Sequence, residues 1–133
     1  MPGLLFMAIR EAIIFIDGSN WYHNSKTIID ESKRIDFNCL AEFICDRFNL
    51  KLKQIRYYNA VPDVSENREI YYKHLEFLDK LKKDNLIIKT RKLKYIKGLK
   101  IKIEKGVDVM IASDMIRKTL VEKECAVCVL ISG

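Results

Sequence analysis

Apolar runs rich in β-branched and aromatic residues alternate with helical patterns along this chain of 133 residues. The runs cover residues 12–16, 54–61, 86–90 and 126–131 and predict four strands. Helical patterns cover about 20–32, 36–48, 65–83 and 107–123, with Asp36 as a plausible cap. Strands that alternate with helices indicate a parallel α/β sheet with right-handed crossovers.

The length and composition predict one soluble domain. A chain of 133 residues suits a single core, and 49% apolar with 32% charged residues is typical of a globular protein. No apolar run approaches the roughly 20 residues that a membrane span requires. The N-terminal residues lack the pattern of a secretory signal, so we expect a cytoplasmic protein.

The first apolar run ends in an acid and small turn-forming residues, Phe15-Ile16-Asp17-Gly18-Ser19-Asn20. This pattern is typical of a buried strand that delivers Asp17 to the carboxyl edge of a sheet, where ligands and catalytic groups gather in open α/β folds. An ordinary strand-to-helix turn fits equally well, with Asp17 or Ser19 capping a helix that begins near Asn20. The stretch alone leaves both interpretations open.

A second acidic segment lies in the helix predicted to begin near Val107, which is apolar on nearly every side. Asp108 and Asp114 interrupt it, and carboxylates in such surroundings are costly unless paired, hydrogen-bonded or bound to a cation. Asp108 also suits the first helical turn, so a helix-start acid is the alternative. The two acids are separated by about 9 Å in rise and about 120° around the helix. We therefore expect Asp108 to be the better metal ligand and Asp114 a supporting acid.

Lys and Arg outnumber Asp and Glu by 24 to 18, a net charge of +6, and much of the excess lies in residues 80–105. Residues 92–103 form two alternating segments about a Lys-Gly turn, which predicts a basic β-hairpin. A phosphate backbone is the natural partner for such a surface, whereas lysines that only keep an edge hairpin soluble are the alternative. The candidate side chains for binding such a backbone are those of Lys92, Lys94, Lys97, Lys100, Lys102 and Lys105.

The four cysteines are interpreted as reduced thiols of a cytosolic protein rather than as metal ligands or disulfides. Cys125 and Cys128 run into a predicted strand, whose period of two would turn them to opposite faces. Cys39 and Cys45 lie six residues apart on a predicted helix. A zinc site would need a C-x-x-C on a turn and a matching second pair.

Carboxylates at one sheet edge, without His or Cys ligands nearby, suit hard cations such as Mg²⁺ or Mn²⁺. Beside a basic surface, such a centre indicates metal-assisted hydrolysis of phosphodiesters. Other phosphate-handling schemes fit the sequence less well. It has no G-x-x-x-x-G-K-[ST] loop to bind a nucleotide phosphate, and Asp17 lacks the second Asp two residues later that an aspartyl-phosphate hydrolase would use. His23 and His74 are interpreted as helix-surface or groove residues. Tyr58 and Asn59 fit a groove lining, core packing or a simple turn.

Three segments, residues 15–20, 105–109 and 129–133, together resemble the NYN domain family, a branch of the PIN-like ribonucleases. The resemblance covers nearly the whole chain. It implies a PIN-like three-layer α/β/α sandwich and a Mg²⁺- or Mn²⁺-dependent ribonuclease acting on RNA. It also implies that Asp17 and Asp108 are metal ligands. Asn20 matches the family's polar residue beside the first acid, and Asp114 matches an acid later in the same helix.

The sequence departs from the family at its C-terminus, because the family continues through Ser-Gly into an Asp-x-Asp-Phe segment and a helix. We therefore expect residues 1–133 to form one NYN domain that lacks its C-terminal acidic motif and final helix, with weak metal binding and slow turnover. An uncovered sheet face would favour aggregation or a homodimer. The alternatives are a catalytically inactive RNA-binding or regulatory module, and a structural domain in which Asp17 and Asp108 only cap helices.

Overall fold

The computed structural model describes residues 9–19, 35–61, 68–92, 94–96, 101–103 and 106–132. Strands and helices alternate along these residues, as the sequence predicts. In chain order they are β1 (Arg10–Asp17), α1 (Phe37–Arg47), β2 (Leu50–Val61), α2 (Arg68–Lys83), β3 (Ile87–Lys92), β4 (Lys94–Ile96), β5 (Ile101–Ile103), α3 (Val107–Ile116) and β6 (Val127–Ile131). The helix predicted over about 20–32 lies outside the described residues.

Four strands form one parallel sheet in the order β3–β2–β1–β6, which confirms the predicted parallel α/β fold. Asp17 at the end of β1 pairs with Tyr58 of β2, and Ile16 pairs with Ile131 at the end of β6. The carboxyl ends of these strands therefore meet at one edge of the sheet. β2 begins at Leu50, four residues before the predicted start, because Leu50 and Leu52 turn inward between exposed lysines.

Helices cover both faces of the sheet. Ala12, Ile14 and Ile16 of β1 point to the face that α1 and α2 cover, whereas Ile13 and Phe15 point to the face that α3 covers. The helices bury Phe37, Ala41 and Cys45 from α1, Leu78 and Leu81 from α2, and Val107 and Ile111 from α3. Helices on either side of a central sheet give the three layers expected from the resemblance.

The helix boundaries follow local chemistry. Asp36 caps α1 as predicted, because its Oδ1 accepts hydrogen bonds from the backbone N–H of Asn38 at 3.0 Å and of Cys39 at 3.2 Å. α3 ends at Ile116 and continues as a π-helical turn, Arg117–Val121, two residues short of the predicted end. In the described part of the chain, no helix combines the length and apolar character that a membrane crossing requires.

The basic segment forms strand structure apart from the main sheet. β4 and β5 pair in antiparallel fashion, with Lys94 opposite Ile103 and Ile96 opposite Ile101. The intervening residues 97–100 lie outside the described residues, so the predicted basic hairpin stays a prediction. Neither the comparisons nor the described residues support the homodimer expected from the sequence.

The expected placement of two thiols is wrong. Cys125 and Cys128 do not point to opposite faces, because their Sγ atoms lie 4.0 Å apart. Cys125 precedes β6, and the chain bends at Ala126 before the strand begins at Val127. The period of two does not reach back to Cys125, and both side chains belong to the core beneath α3.

Candidate active site

Asp17 lies at the carboxyl end of β1, on the central strand pair of the sheet. It is only 4% exposed. In the alternation along β1 it shares a face with Ile13 and Phe15, the face covered by α3. Asp17 therefore lies at the carboxyl edge of the parallel sheet, the place at which the sequence predicts it.

The helical turn that follows Asp17, of which Gly18 and Ser19 are described, fits tightly against β2. A Cβ atom on Gly18 would lie 2.3 Å from the ring carbon Cζ of Tyr57, so only glycine fits without displacing the ring. The Tyr57 hydroxyl also donates a hydrogen bond of 3.4 Å to the Gly18 carbonyl oxygen. Tyr57 is fully buried and packs against Phe37 and Phe77, so its ring is a fixed support for the turn.

The first turn of α3 reaches the same edge of the sheet. Gly106 lies just before α3, and a Cβ atom on it would be 3.9 Å from Nε of Arg91 in β3. Arg91 pairs with Ala60 of β2, which is two residues closer to the carboxyl end than Tyr58, the partner of Asp17. α3 then runs back toward the start of β6, as a helix between parallel strands does. Asp108 lies in this first turn and is exposed. The fold thus brings the elements carrying Asp17 and Asp108 to one edge.

Gly106 sets the start of α3. Its φ of +90° is a backbone conformation that residues with a side chain rarely adopt, so the Lys-Gly-Val-Asp sequence needs glycine at this position. The N-terminus of α3 has no side-chain cap of its own. Asp108 therefore lies in a first helical turn whose backbone N–H groups attract a negative charge.

Asp114 lies deeper, facing the middle of β2 rather than its end. Its Oδ2 accepts a hydrogen bond of 2.7 Å from the Tyr58 hydroxyl and lies 3.3 Å from Nη2 of Arg56. Its Oδ1 accepts a bond of 2.8 Å from Nη2 of Arg117. Both carboxylate oxygens are occupied by donors, which gives a structural reason for an acid in this apolar helix. The supporting role at the metal stays a prediction.

Asp114, Tyr58, Arg56 and Arg117 form a hydrogen-bonded cluster in which the two arginines stabilise the charge of the acid. Burial favours the neutral form of Asp114, but the bond from Tyr58 and the charges of Arg56 and Arg117 outweigh it and lower the pKa of this carboxyl. Burial raises the pKa of Tyr58, so its hydroxyl stays protonated and donates. Arg56 donates a further bond of 2.8 Å from Nε to that hydroxyl oxygen. The cluster is therefore an ionised, fully bonded link between β2 and α3.

A second polar group lies on the opposite face, at the end of β2. The Ser19 hydroxyl donates a 3.0 Å hydrogen bond to Oδ1 of Asn59, and the Asn59 amide is bonded to Nε2 of His74 on α2. Burial lowers the pKa of His74, so its ring is neutral at pH 7. The sequence does not decide between a groove lining, core packing and a turn for Asn59, and it predicts His74 on a helix surface or in a groove. Only the pairing of β2 with β1 and the packing of α2 bring them to Ser19.

Several predicted residues are not placed by the structure. Asn20, Lys97, Lys100 and Lys105 lie outside the described residues, and of Lys92, Lys94 and Lys102 only the strand backbone is described. Their roles at the site and in RNA binding stay predictions.

The donor chemistry fits a hard cation held partly by water. Among the described residues, no three His, Cys, Asp or Glu side chains cluster as a metal site. Mg²⁺ commonly binds through one or two carboxylates and keeps several water ligands, so two acids at this edge would suit it, and the roles of Asp17 and Asp108 as its ligands stay a prediction.

The three layers and the site edge define an α/β fold consistent with the PIN-like class. The family model of the NYN domain matches residues 11–133. Since the match spans nearly the whole chain, the chain belongs to the NYN domain family. This family is typically PIN-like and nuclease-like, so membership supports a ribonuclease kind of function. No curated protein and no solved structure matched the chain.

Proposed function

We propose that this protein is a metal-dependent ribonuclease that hydrolyses phosphodiester bonds in RNA. The observation that carries the proposal is the meeting of two acid-bearing elements at one sheet edge: β1 ends in Asp17, and α3 begins beside Asp108. Membership of the NYN family supports the choice of RNA over other phosphate esters.

Asp17 and Asp108 would hold Mg²⁺ or Mn²⁺ at this edge. When bound, such a cation supplies Lewis-acid activation of water and of the phosphoryl group. The protein's own contribution is position and access. Asp17 is buried at the end of the central strand β1, which restricts the position of its carboxylate, whereas Asp108 is exposed and leaves one side open to a substrate.

The basic side chains would bind the RNA backbone. We assign this role to the lysines of the 92–105 segment named above, with Asn20 orienting the scissile phosphate. Arg91 is exposed at the end of β3 beside Gly106, so it adds a guanidinium at the edge where the acids meet. Phosphate contacts of this kind hold a backbone without reading its sequence.

The experiment is cleavage of a single-stranded RNA by the full chain, with and without Mn²⁺. Asp17→Asn and Asp108→Asn remove one carboxylate each and retain most of the side-chain shape. We expect each to lower kcat by at least about a hundredfold, because a ligand to the catalytic cation is lost. Asp79→Asn on the exposed face of α2 is the matched control and should cleave like the natural chain. Equal activity in all four proteins would remove the assignment.

A second candidate is an RNA-binding module without catalysis. It is supported by the net charge of +6, much of whose basic excess lies in residues 80–105. Such a module would bind RNA with a steep dependence on salt, since neutralised phosphates release counterions. Intact RNA after incubation with Mn²⁺, together with salt-dependent binding that Asp17→Asn does not weaken, would favour this candidate over the ribonuclease.

A further inference from the structure

We propose that Asn59 and His74 are positioning residues of the active site, which hold the Ser19 turn and through it the orientation of Asp17. The catalytic consequence of this inference rests on the ribonuclease function proposed above. The positioning itself rests on the hydrogen bonds of the described residues.

The first step is the attachment of Ser19 to β2. Its hydroxyl donates to Oδ1 of Asn59 at 3.0 Å and accepts a longer bond of 3.4 Å from the backbone N–H of Ala60. Ser19 is two residues beyond Asp17, and Asn59 is one residue beyond Tyr58, the β2 partner of Asp17. The turn is therefore tied to the neighbouring strand at the level of the acid.

The second step is the orientation of the Asn59 amide. Because Oδ1 accepts from Ser19, Nδ2 faces His74 and donates to Nε2 of its ring. Asn59 is only 3% exposed, so the loss of either partner would leave a buried polar atom whose hydrogen bond water cannot replace. His74 thus holds the amide plane of Asn59 in the position at which the amide meets Ser19. α2, which carries His74, is coupled in this way to the turn after β1.

Tyr57 holds the same turn at a second point, Gly18. Tyr57 contacts Gly18 and donates to its carbonyl oxygen, as described above. Tyr57 and Asn59 lie two residues apart on β2 and therefore point to the same face of the sheet, while Asp17 points to the other face. Two contacts hold the turn from one side and leave the carboxylate on the opposite side. A turn that slipped would rotate Asp17 away from the edge.

The test uses two substitutions at one position. His74→Gln keeps an oxygen that can accept from Asn59, whereas His74→Leu fills similar space without an acceptor. Asn59→Ala removes both bonds and should behave like His74→Leu. We expect His74→Leu and Asn59→Ala to lower kcat for RNA cleavage by about tenfold or more with a KM within about twofold of the natural chain, because a displaced ligand impairs the chemical step. His74→Gln should restore kcat to within about twofold.

Amide hydrogen exchange of the peptide that contains Asp17, Gly18 and Ser19 provides a readout that does not require activity. Exchange should be faster in His74→Leu than in His74→Gln, while exchange in the middle of β1 stays the same in both. Equal exchange in the two variants overturns the positioning role whether or not the chain cleaves RNA. If exchange differs as expected but Asp17→Asn leaves cleavage unchanged, the ribonuclease proposal fails and the positioning inference stands as a property of the turn.

Discussion

Arg56 and Asp114, 58 residues apart in the sequence, form an ion pair inside the interface between β2 and α3, with Nη2 and Oδ2 separated by 3.3 Å. Their side chains are 4% and 10% exposed, so the pair is almost fully removed from water. Tyr58 lies between them, accepting from Arg56 and donating to Asp114. A charge pair so buried stabilises the fold only while both members are present.

Asp114→Asn should destabilise the protein by about 3 kcal/mol, because it leaves the Arg56 guanidinium buried without a counter-charge. The free energy of unfolding in urea measures this change. Arg117→Gln is the control, since Arg117 bonds to the same carboxylate but is half exposed. It should cost at most about 1 kcal/mol. A cost for Asp114→Asn as small as that of the control would contradict a structural role for the pair.

The same carboxyl predicts how stability depends on pH. The folded state lowers the pKa of Asp114, so the unfolded state binds a proton more readily. The stabilisation is complete above the unfolded pKa of about 4 and is lost as pH falls below it through the lowered folded value. The urea concentration at the unfolding midpoint, measured between about pH 2 and pH 7, should decrease toward acid pH. The decrease should be less steep in Asp114→Asn. Parallel acid slopes in the two proteins would be the contrary result.

Gly18→Ala should destabilise the protein by about 1–3 kcal/mol, since the new methyl group would overlap the buried ring of Tyr57. It should also reduce Mn²⁺-dependent cleavage, because the turn beside Asp17 must move. Gly106→Ala serves as a contrast: space is available beside Arg91, and the cost there is the positive φ. Thermal unfolding and RNA cleavage are the two measurements. A Gly18→Ala protein with unchanged stability and cleavage would show that the turn is not tightly supported.

Much of the fold was accessible from local patterns. The run at residues 12–16 predicts a strand buried on both faces, and the β1 core residues Ala12 to Ile16 are indeed buried on either side of the sheet. The N-cap Asp36 was predicted from its residue type, and it forms the expected bonds. These features depend on neighbours in sequence. Cys125 shows the limit, because a bend at Ala126 breaks the alternation on which its expected orientation depended.

The site was only partly accessible from the sequence. Asp17 is recognisable because it ends an apolar strand, and its place at the sheet edge follows from the parallel topology. The partners of Asp114 were not recognised. An arginine between Ile55 and Tyr57 in a buried strand was an available signal, since a buried cation needs an acid facing it. The bond between Asn59 and His74 depends on the rotation of α2 against the sheet, which no spacing in the sequence reports.

Cys125 and Cys128 should form a disulfide with each other when the protein is treated with oxidised glutathione. Their Sγ atoms lie 4.0 Å apart and must approach to about 2.05 Å, a small movement at a bend. The Cys128 thiolate attacks the glutathione disulfide and releases one glutathione, and the Cys125 thiolate then displaces the second. Burial, together with the nearby Cys125, raises the pKa of Cys128 to about 11, so the reaction should be slow at pH 7 and accelerate about tenfold per pH unit. Mass spectrometry of the unreduced peptide should show the loss of two hydrogen atoms. Cys128→Ser should abolish the product, whereas a mixed disulfide that persists on the natural chain would contradict the pairing.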